Sequence, residues 1–240
     1  MKIIVTDLTR FKKPEVVCLA GVRPDTHECV RPMKNGDRPY MTLEDCKRLN
    51  LLPGAILKGD LKKCAGLVKP HLEDHSYTTL EFLGPCSAEQ FEAVLRKTTE
   101  SSIYEGFGKK VPAGEKVVPY SDPPRKSIIT IQLKPDQVQI VRDGYKPQEL
   151  RLHLTDNDGR YYRFLSITDL GFHNVAIRRQ AEPHYTDELN KFIIQQKKVY
   201  LRVGLIRQYT SPDVRVGFWT QVNGIYTFPD FLPEVRTHTE

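Results

Sequence analysis

The chain has 240 residues, 39% of them hydrophobic and 28% charged, which excludes a disordered polymer and allows one large domain or two of about 120 residues. Lysine and arginine number 36 against 30 acids, and the net charge of +6 divides evenly between the halves, so any basic patch has to be created by folding rather than by a tail. No apolar run approaches the roughly 18–20 residues of a membrane helix. No signal segment follows Met1, and the five cysteines, odd in number and unevenly spaced, read as free thiols of a cytoplasmic protein.

The opening Ile3-Ile-Val-Thr-Asp-Leu8, then Glu15 to Val22, then His27 to Pro32 read as a three-strand meander with short loops. Thr42 carries an N-cap pattern ahead of a helix with Leu43, Cys46 and Leu49 on its apolar side. A strand from Ala55 to Leu61 is entered through Pro53-Gly54. A second helix starts at Ser87, with Gln90 as its capping-box partner and Phe91, Val94 and Leu95 on one face. Glycine and proline crowd residues 104–126, which read as the linker between a domain at 1–118 and another at 126–240.

In the second half, Ile128–Leu133 and Gln137–Val141 predict one hairpin. Glu149–Thr155 and Arg160–Ile167 predict another, closed around Asp156-Asn-Asp-Gly159. Thr186 is positioned to cap a helix bearing Leu189, Phe192 and Ile193. Strands at Val199–Gln208 and Val214–Val222 follow, with Asn223-Gly224 read as a tight turn into Ile225–Phe228. Each half is thus about five short strands with one late helix, the element list of a small Greek-key barrel, most often of OB type. The expected class is mainly β with minor helix, two such barrels in tandem, although a sandwich or an SH3-like barrel gives nearly the same list.

Val199-Tyr-Leu-Arg-Val-Gly-Leu-Ile-Arg207 and Gly217-Phe-Trp-Thr-Gln-Val-Asn-Gly-Ile-Tyr-Thr-Phe-Pro-Asp230 resemble the end of the prokaryotic dual-OB-domain proteins. Lys2 to Phe11, Pro53 to Leu57 and Pro70 to His75 resemble the same family. The resemblance implies two OB-like barrels, nucleic-acid binding, and an accessory role beside prokaryotic nucleic-acid-processing or defence proteins. It carries no catalytic residue across.

OB barrels hold single strands by stacking bases on aromatic rings while cations neutralise phosphates. Arg151 and His153 alternate with Leu150, Leu152 and Leu154 and so point away from the core. Tyr161, Tyr162 and Arg163 interleave rings and charge on the partner strand. A two-residue turn pairs His153 with Phe164, and a three-residue turn pairs it with Arg163. Tyr200 and Arg202 share the face opposite Leu201 and Val203, and Tyr226 adds a further ring. Lys109 and Lys110 offer phosphate contacts from the linker, and Trp219 and Phe228 are read as core. The expected ligand is single-stranded or opened DNA or RNA, held by charge and stacking rather than base reading. A protein-interaction adaptor is the alternative, and a metal-dependent nuclease built on Asp7, Asp60 and Asp169 a third reading. No cofactor is expected. His71 and His75, four apart with Cys64 and Cys86 nearby, are the candidate metal ligands, although loop histidines and buried thiols account for the same residues.

Overall fold

The computed structural model describes the chain except residues 12, 14, 35–39, 109–110, 112–115, 147, 211–215 and 239–240. It is mainly β, 43% strand and 21% helix, in two sheets, one of them curled into a half-barrel. The first sheet comprises β1 (Lys2–Arg10), β2 (Val16–Val22), β3 (Cys29–Lys34), β4 (Tyr40–Thr42), β5 (Ala55–Gly59), β6 (Lys62–Lys63), β7 (Asp74–Tyr77) and β8 (Leu80–Pro85). Its strand order is β6-β7-β3-β2-β1-β5-β8, with β4 also on β2. Helices α1 (Leu43–Arg48) and α2 (Ala88–Lys97) start where expected. The Thr42 hydroxyl caps the first, and Ser87 and Gln90 form the complete capping box of the second.

The second sheet comprises β9 (Thr99–Glu100), β10 (Val117–Pro119), β11 (Ile128–Leu133), β12 (Val138–Arg142), β13 (Leu150–Thr155), β14 (Tyr161–Ile167), β15 (Lys198–Leu205), β16 (Tyr209–Thr210) and β17 (Val216–Phe228). Its order is β12-β13-β14-β17-β15-β11-β9, with β10 and β16 also on β17. The expected β11–β12 hairpin does not form. A 3₁₀ turn at Pro135–Gln137 intervenes, and β11 pairs with β15 while β12 pairs with β13. In and beside the segment expected as a linker, α3 (Ile103–Phe107) packs through Ile103 and Phe107 on the second core, and Val111 and Val118 join the same core. Gly106 lies so close to Ile129 that a Cβ would sit 2.7 Å from its Cδ1. Two helices follow β14, α4 (Leu170–Arg178), which the sequence reading missed, and α5 (Tyr185–Ile194). Thr186 lies inside α5 rather than capping it; His184 holds the N-cap position.

Asn223-Gly224 is not a turn. β17 runs unbroken through it, and the register against β15 slips by one residue, Arg202 facing Gly224 and Val203 facing Val222. Asn223 is the extra residue of a β-bulge, which reverses the side-chain parity beyond it. Val222 and Ile225 therefore share the core, while Tyr226 packs with Tyr200 on the opposite face. A second bulge at Thr6 in β1 does the same for Ile3, Val5 and Leu8. The two bulges meet: Tyr226 Oη donates to the Thr6 carbonyl at 2.6 Å.

Beside that contact the sheets are locked by charge. Arg202 of β15, 1% exposed, pairs with Asp7 of β1, 2% exposed, at 2.7 Å, and also donates to Thr130 and to the Cys29 sulfur. Removing one partner from a buried pair strands the other charge, which costs about 3–5 kcal/mol, whereas an apolar replacement of both is often neutral. Arg202→Ala should therefore lower the unfolding free energy by about that amount in urea titrations. The double variant Asp7→Leu/Arg202→Met should recover most of it, and equal losses in the two proteins would contradict the lock.

Candidate nucleic-acid interface

The faces that meet at this lock diverge into an open cleft of about 1910 Å³. One wall belongs to the first sheet: Asp7 beside Ala20 and Thr9 beside Cys18 across the β1–β2 ladder, then Arg31 beside Asp74 across β3–β7. The other is a row running across four strands of the second sheet, Arg151, Ser166, Gln221 and Gly204, each opposite the next. This is the non-core face, as the alternation of Leu150, Leu152 and Leu154 requires. The cleft lining carries six cations (Arg10, Arg31, Lys116, Lys146, Arg151 and Arg207) against four acids (Asp7, Asp74, Asp143 and Glu149). Folding thus gathers a positive excess that the even charge distribution of the chain did not disclose.

The rings are the second feature. Tyr145 is 98% exposed, Tyr209 50% and Phe164 46%, and Trp219 is half-buried, its ring centroid 6.5 Å from that of Tyr209. Phe164 has a φ of +51°, a left-handed conformation that costs a bulky residue on the order of 1–3 kcal/mol. It is the bulge residue of the β13–β14 hairpin and reconciles both expected registers. Near the turn Leu154 pairs with Tyr162, the three-residue-turn register, and beyond the bulge Leu152 pairs with Leu165, the two-residue one. His153 contacts Phe164 edge-on at 4.5 Å and accepts or donates a hydrogen bond with the Tyr161 hydroxyl at 3.1 Å. Burial, then Arg163 and Lys116, hold His153 below the ordinary imidazole range. Lys116 donates to the Phe164 carbonyl at 2.9 Å.

Of the residues anticipated, Arg151 lines the cleft, and His153, Tyr161 and Arg163 lie next to its Phe164 end, with the Arg163 guanidinium 5.0 Å over the Tyr161 ring. Arg151 is tied to Asp143 at 2.5 Å, to Glu149 at 3.1 Å and to the Ser166 hydroxyl. Four others are corrected. Tyr162 is core, and Tyr200 and Arg202, although on the face opposite the core as expected, are covered, together with Tyr226, by the first sheet and α2 instead of solvent. Trp219, expected in the core, faces the cleft. Lys109 and Lys110 lie outside the described residues. Phe164, Arg207, Tyr209 and Tyr145 were missed, though Phe164 and Trp219 share strand parity with the polar Ser166 and Gln221, a signal that could have found them.

The expected nuclease residues are otherwise engaged, and so is one of the two candidate histidines. His71 and His75 are buried, His75 Nδ1 bonding to the Glu73 carbonyl at 2.9 Å. Among the described residues no group of three or more His, Cys, Asp or Glu is arranged to hold a metal ion. Asp7 pairs with Arg202, Asp60 accepts from Thr78 and Thr79, and Asp169 caps α4 and pairs with Arg236. Glu73 instead joins the inter-sheet wall: it pairs with Arg31 at 2.8 Å and accepts from Ser127. Burial favours its neutral form, but His71, Arg31 and Ser127 bring its pKa down to about 2.

Two strand-rich sheets facing each other over a polar, aromatic cleft define a protein of paired OB type. The chain belongs to the dual OB-containing domain family, whose model matches residues 1–225. The search of curated proteins and that of solved structures each gave no match. OB domains commonly bind nucleic acid. No helix among the described residues is long and apolar enough to cross a membrane.

Two imidazoles, the buried His71 and the half-buried His173, set a pH dependence. Burial, chiefly, holds His71 below the ordinary imidazole range, and burial together with Arg10 pushes His173 down to about 4. Below about pH 6.5 the unfolded chain takes up protons that the folded one refuses, so stability is full above that value and is lost as pH falls toward 4. Glu73 adds a further loss below about 4.5, where its unfolded carboxyl protonates first. The urea midpoint should fall steadily between about pH 7 and 4; a midpoint independent of pH over that window would contradict the assignment.

Proposed function

We propose that the protein binds single-stranded or locally opened nucleic acid in the cleft between its two sheets, phosphates against Arg10, Lys116, Lys146 and Arg207 and bases on Phe164, Trp219, Tyr209 and Tyr145. The observation that carries this reading is Phe164: a ring held in a strained backbone conformation, half exposed, at the mouth of a cation-rich cleft. Such strain persists where the surroundings enforce it and clusters at ligand clamps. Stacking on each ring contributes roughly 1–3 kcal/mol regardless of base, and phosphate neutralisation supplies the salt-dependent remainder. The chain would then act as an accessory that presents a strand to a processing or defence assembly, which supplies any chemistry. A second reading, an adaptor for a protein partner, draws on an apolar groove of about 380 Å³ lined by Phe82, Phe91, Phe192 and the exposed Phe231.

A labelled single-stranded oligonucleotide of about 12 nucleotides should bind with an affinity that falls steeply between 50 and 200 mM salt. Phe164→Gly removes the ring while suiting a positive φ. It should weaken binding by roughly 5- to 100-fold without lowering the melting temperature. Binding that is undetectable at low salt, or insensitive to salt, would transfer the assignment to the adaptor.

A further inference from the structure

On the other flank of the lock lies a second concavity, of about 570 Å³, lined in part by Arg202 itself. It continues the same face of the second sheet onto the next strands. Ile128 of β11 stands opposite Gly204, Thr130 opposite Arg202, and Thr99 of β9 beside Thr130. Cleft and groove meet at Ile128, which lines both. There the start of β11 is tied to the end of β15, the Leu205 amide donating to the Ser127 carbonyl at 2.8 Å. Arg207 lines the cleft on one side of that junction, and Arg125 and Lys126 line the groove on the other.

The groove's negative groups are all compensated within the protein. Glu28 pairs with Arg23, Glu73 with Arg31 and Glu100 with Lys126. At the end of α2 the Thr98 hydroxyl donates to the Val94 carbonyl and the Thr99 hydroxyl to that of Leu95, which covers the negative end of the helix. Lys63, Lys97 and Arg125 are exposed and make no ion pair or side-chain hydrogen bond among the described residues, so three positive charges are left at a concave polar wall. No Phe, Tyr or Trp is among the described residues that line it, so it offers charge without a stacking platform. We propose that this groove holds the sugar-phosphate backbone of the same strand whose bases stack in the cleft. The strand passes Arg207 and Ile128 and lays phosphates against Arg125, Lys97 and Lys63. From β13 to β9 the path crosses five strand spacings, about 24 Å. A strand of about 12 nucleotides covers that even at the roughly 3.4 Å per phosphate of a stacked helix. The inference rests on the cleft being the nucleic-acid site, and adds to its stacking surface a separate track for the backbone.

The test follows a labelled single strand of about 12 nucleotides by anisotropy across a salt series, with the wild type and with Lys63→Gln/Lys97→Gln/Arg125→Gln. A control variant, Lys2→Gln/Lys58→Gln/Lys191→Gln, removes the same charge from exposed positions that line neither concavity. Each protein is checked for an unchanged melting temperature. A single strand gives a slope of about 0.7 per neutralised phosphate, so the groove variant should lower the slope of log affinity against log salt by about 2. Its affinity deficit should therefore shrink as salt rises, while the control keeps the wild-type slope. A wild-type slope in the groove variant, or an equal loss in the control, overturns the groove assignment and leaves the strand confined to the cleft. Failure of the strand to bind the wild type at low salt refutes the cleft reading itself.

Discussion

A single buried ion pair, Asp7 with Arg202, determines how the two halves of the molecule face each other. Both residues come from strand interiors, both sit on the face opposite their own core, and each would be a severe desolvation penalty without the other. Around them the wall extends through Arg31, Glu73 and Asp74 to Arg207, with Ser127 and Thr130 accepting or donating at its edge. Burial disfavours the charged form of Arg202, yet Asp7, Cys29 and their hydrogen bonds keep it charged. A hydrophobic seam could slide by a residue; a directional charge pair cannot, because a one-residue slip leaves Asp7 and Arg202 buried without each other. The register of one sheet against the other, and hence the shape of the cleft, follows from that.

The two bulges serve the same arrangement from the backbone side. At Thr6 and at Asn223 an inserted residue exchanges which side chains face inward, so that one strand supplies its own core at both ends and the inter-sheet contact in between. The Tyr226 hydroxyl ties one bulge to the other. Beyond the lock the same faces separate and become polar. Arg151, Ser166 and Gln221 replace the packed residues, and Phe164 and Trp219 stand at the rim. Stability is concentrated at one end of the interface and an open, strained, charge-bearing surface at the other, a division in which binding groups sit on rigid strands and need little ordering when a ligand arrives.

The sequence disclosed the local features well and the pairings poorly. Caps at Thr42 and Ser87, the meander at the start and the Asp156–Gly159 hairpin are written in short-range chemistry, and each formed as read. The β11–β12 hairpin failed because adjacency in sequence says nothing about which distant strand offers a better face. Asn223-Gly224 misled for a related reason: the dipeptide that favours a tight turn also suits a bulge, and only the long β15 partner decides between them. Parity correctly placed Arg202 and Tyr200 off the core, but it could not tell a face exposed to water from one covered by another sheet. The uninterrupted burial of β15 is the pattern of a strand enclosed on both sides.

The most direct measurement uses Trp219, the sole tryptophan of the chain. If the strand lies in the cleft, a base must approach this indole, so titrating a single-stranded oligonucleotide at low salt should quench its emission saturably. Added salt should restore that emission in parallel with loss of the complex followed by anisotropy. An oligonucleotide that forms a complex by anisotropy while leaving the emission of Trp219 unaltered would place the binding surface elsewhere on the molecule and contradict the account.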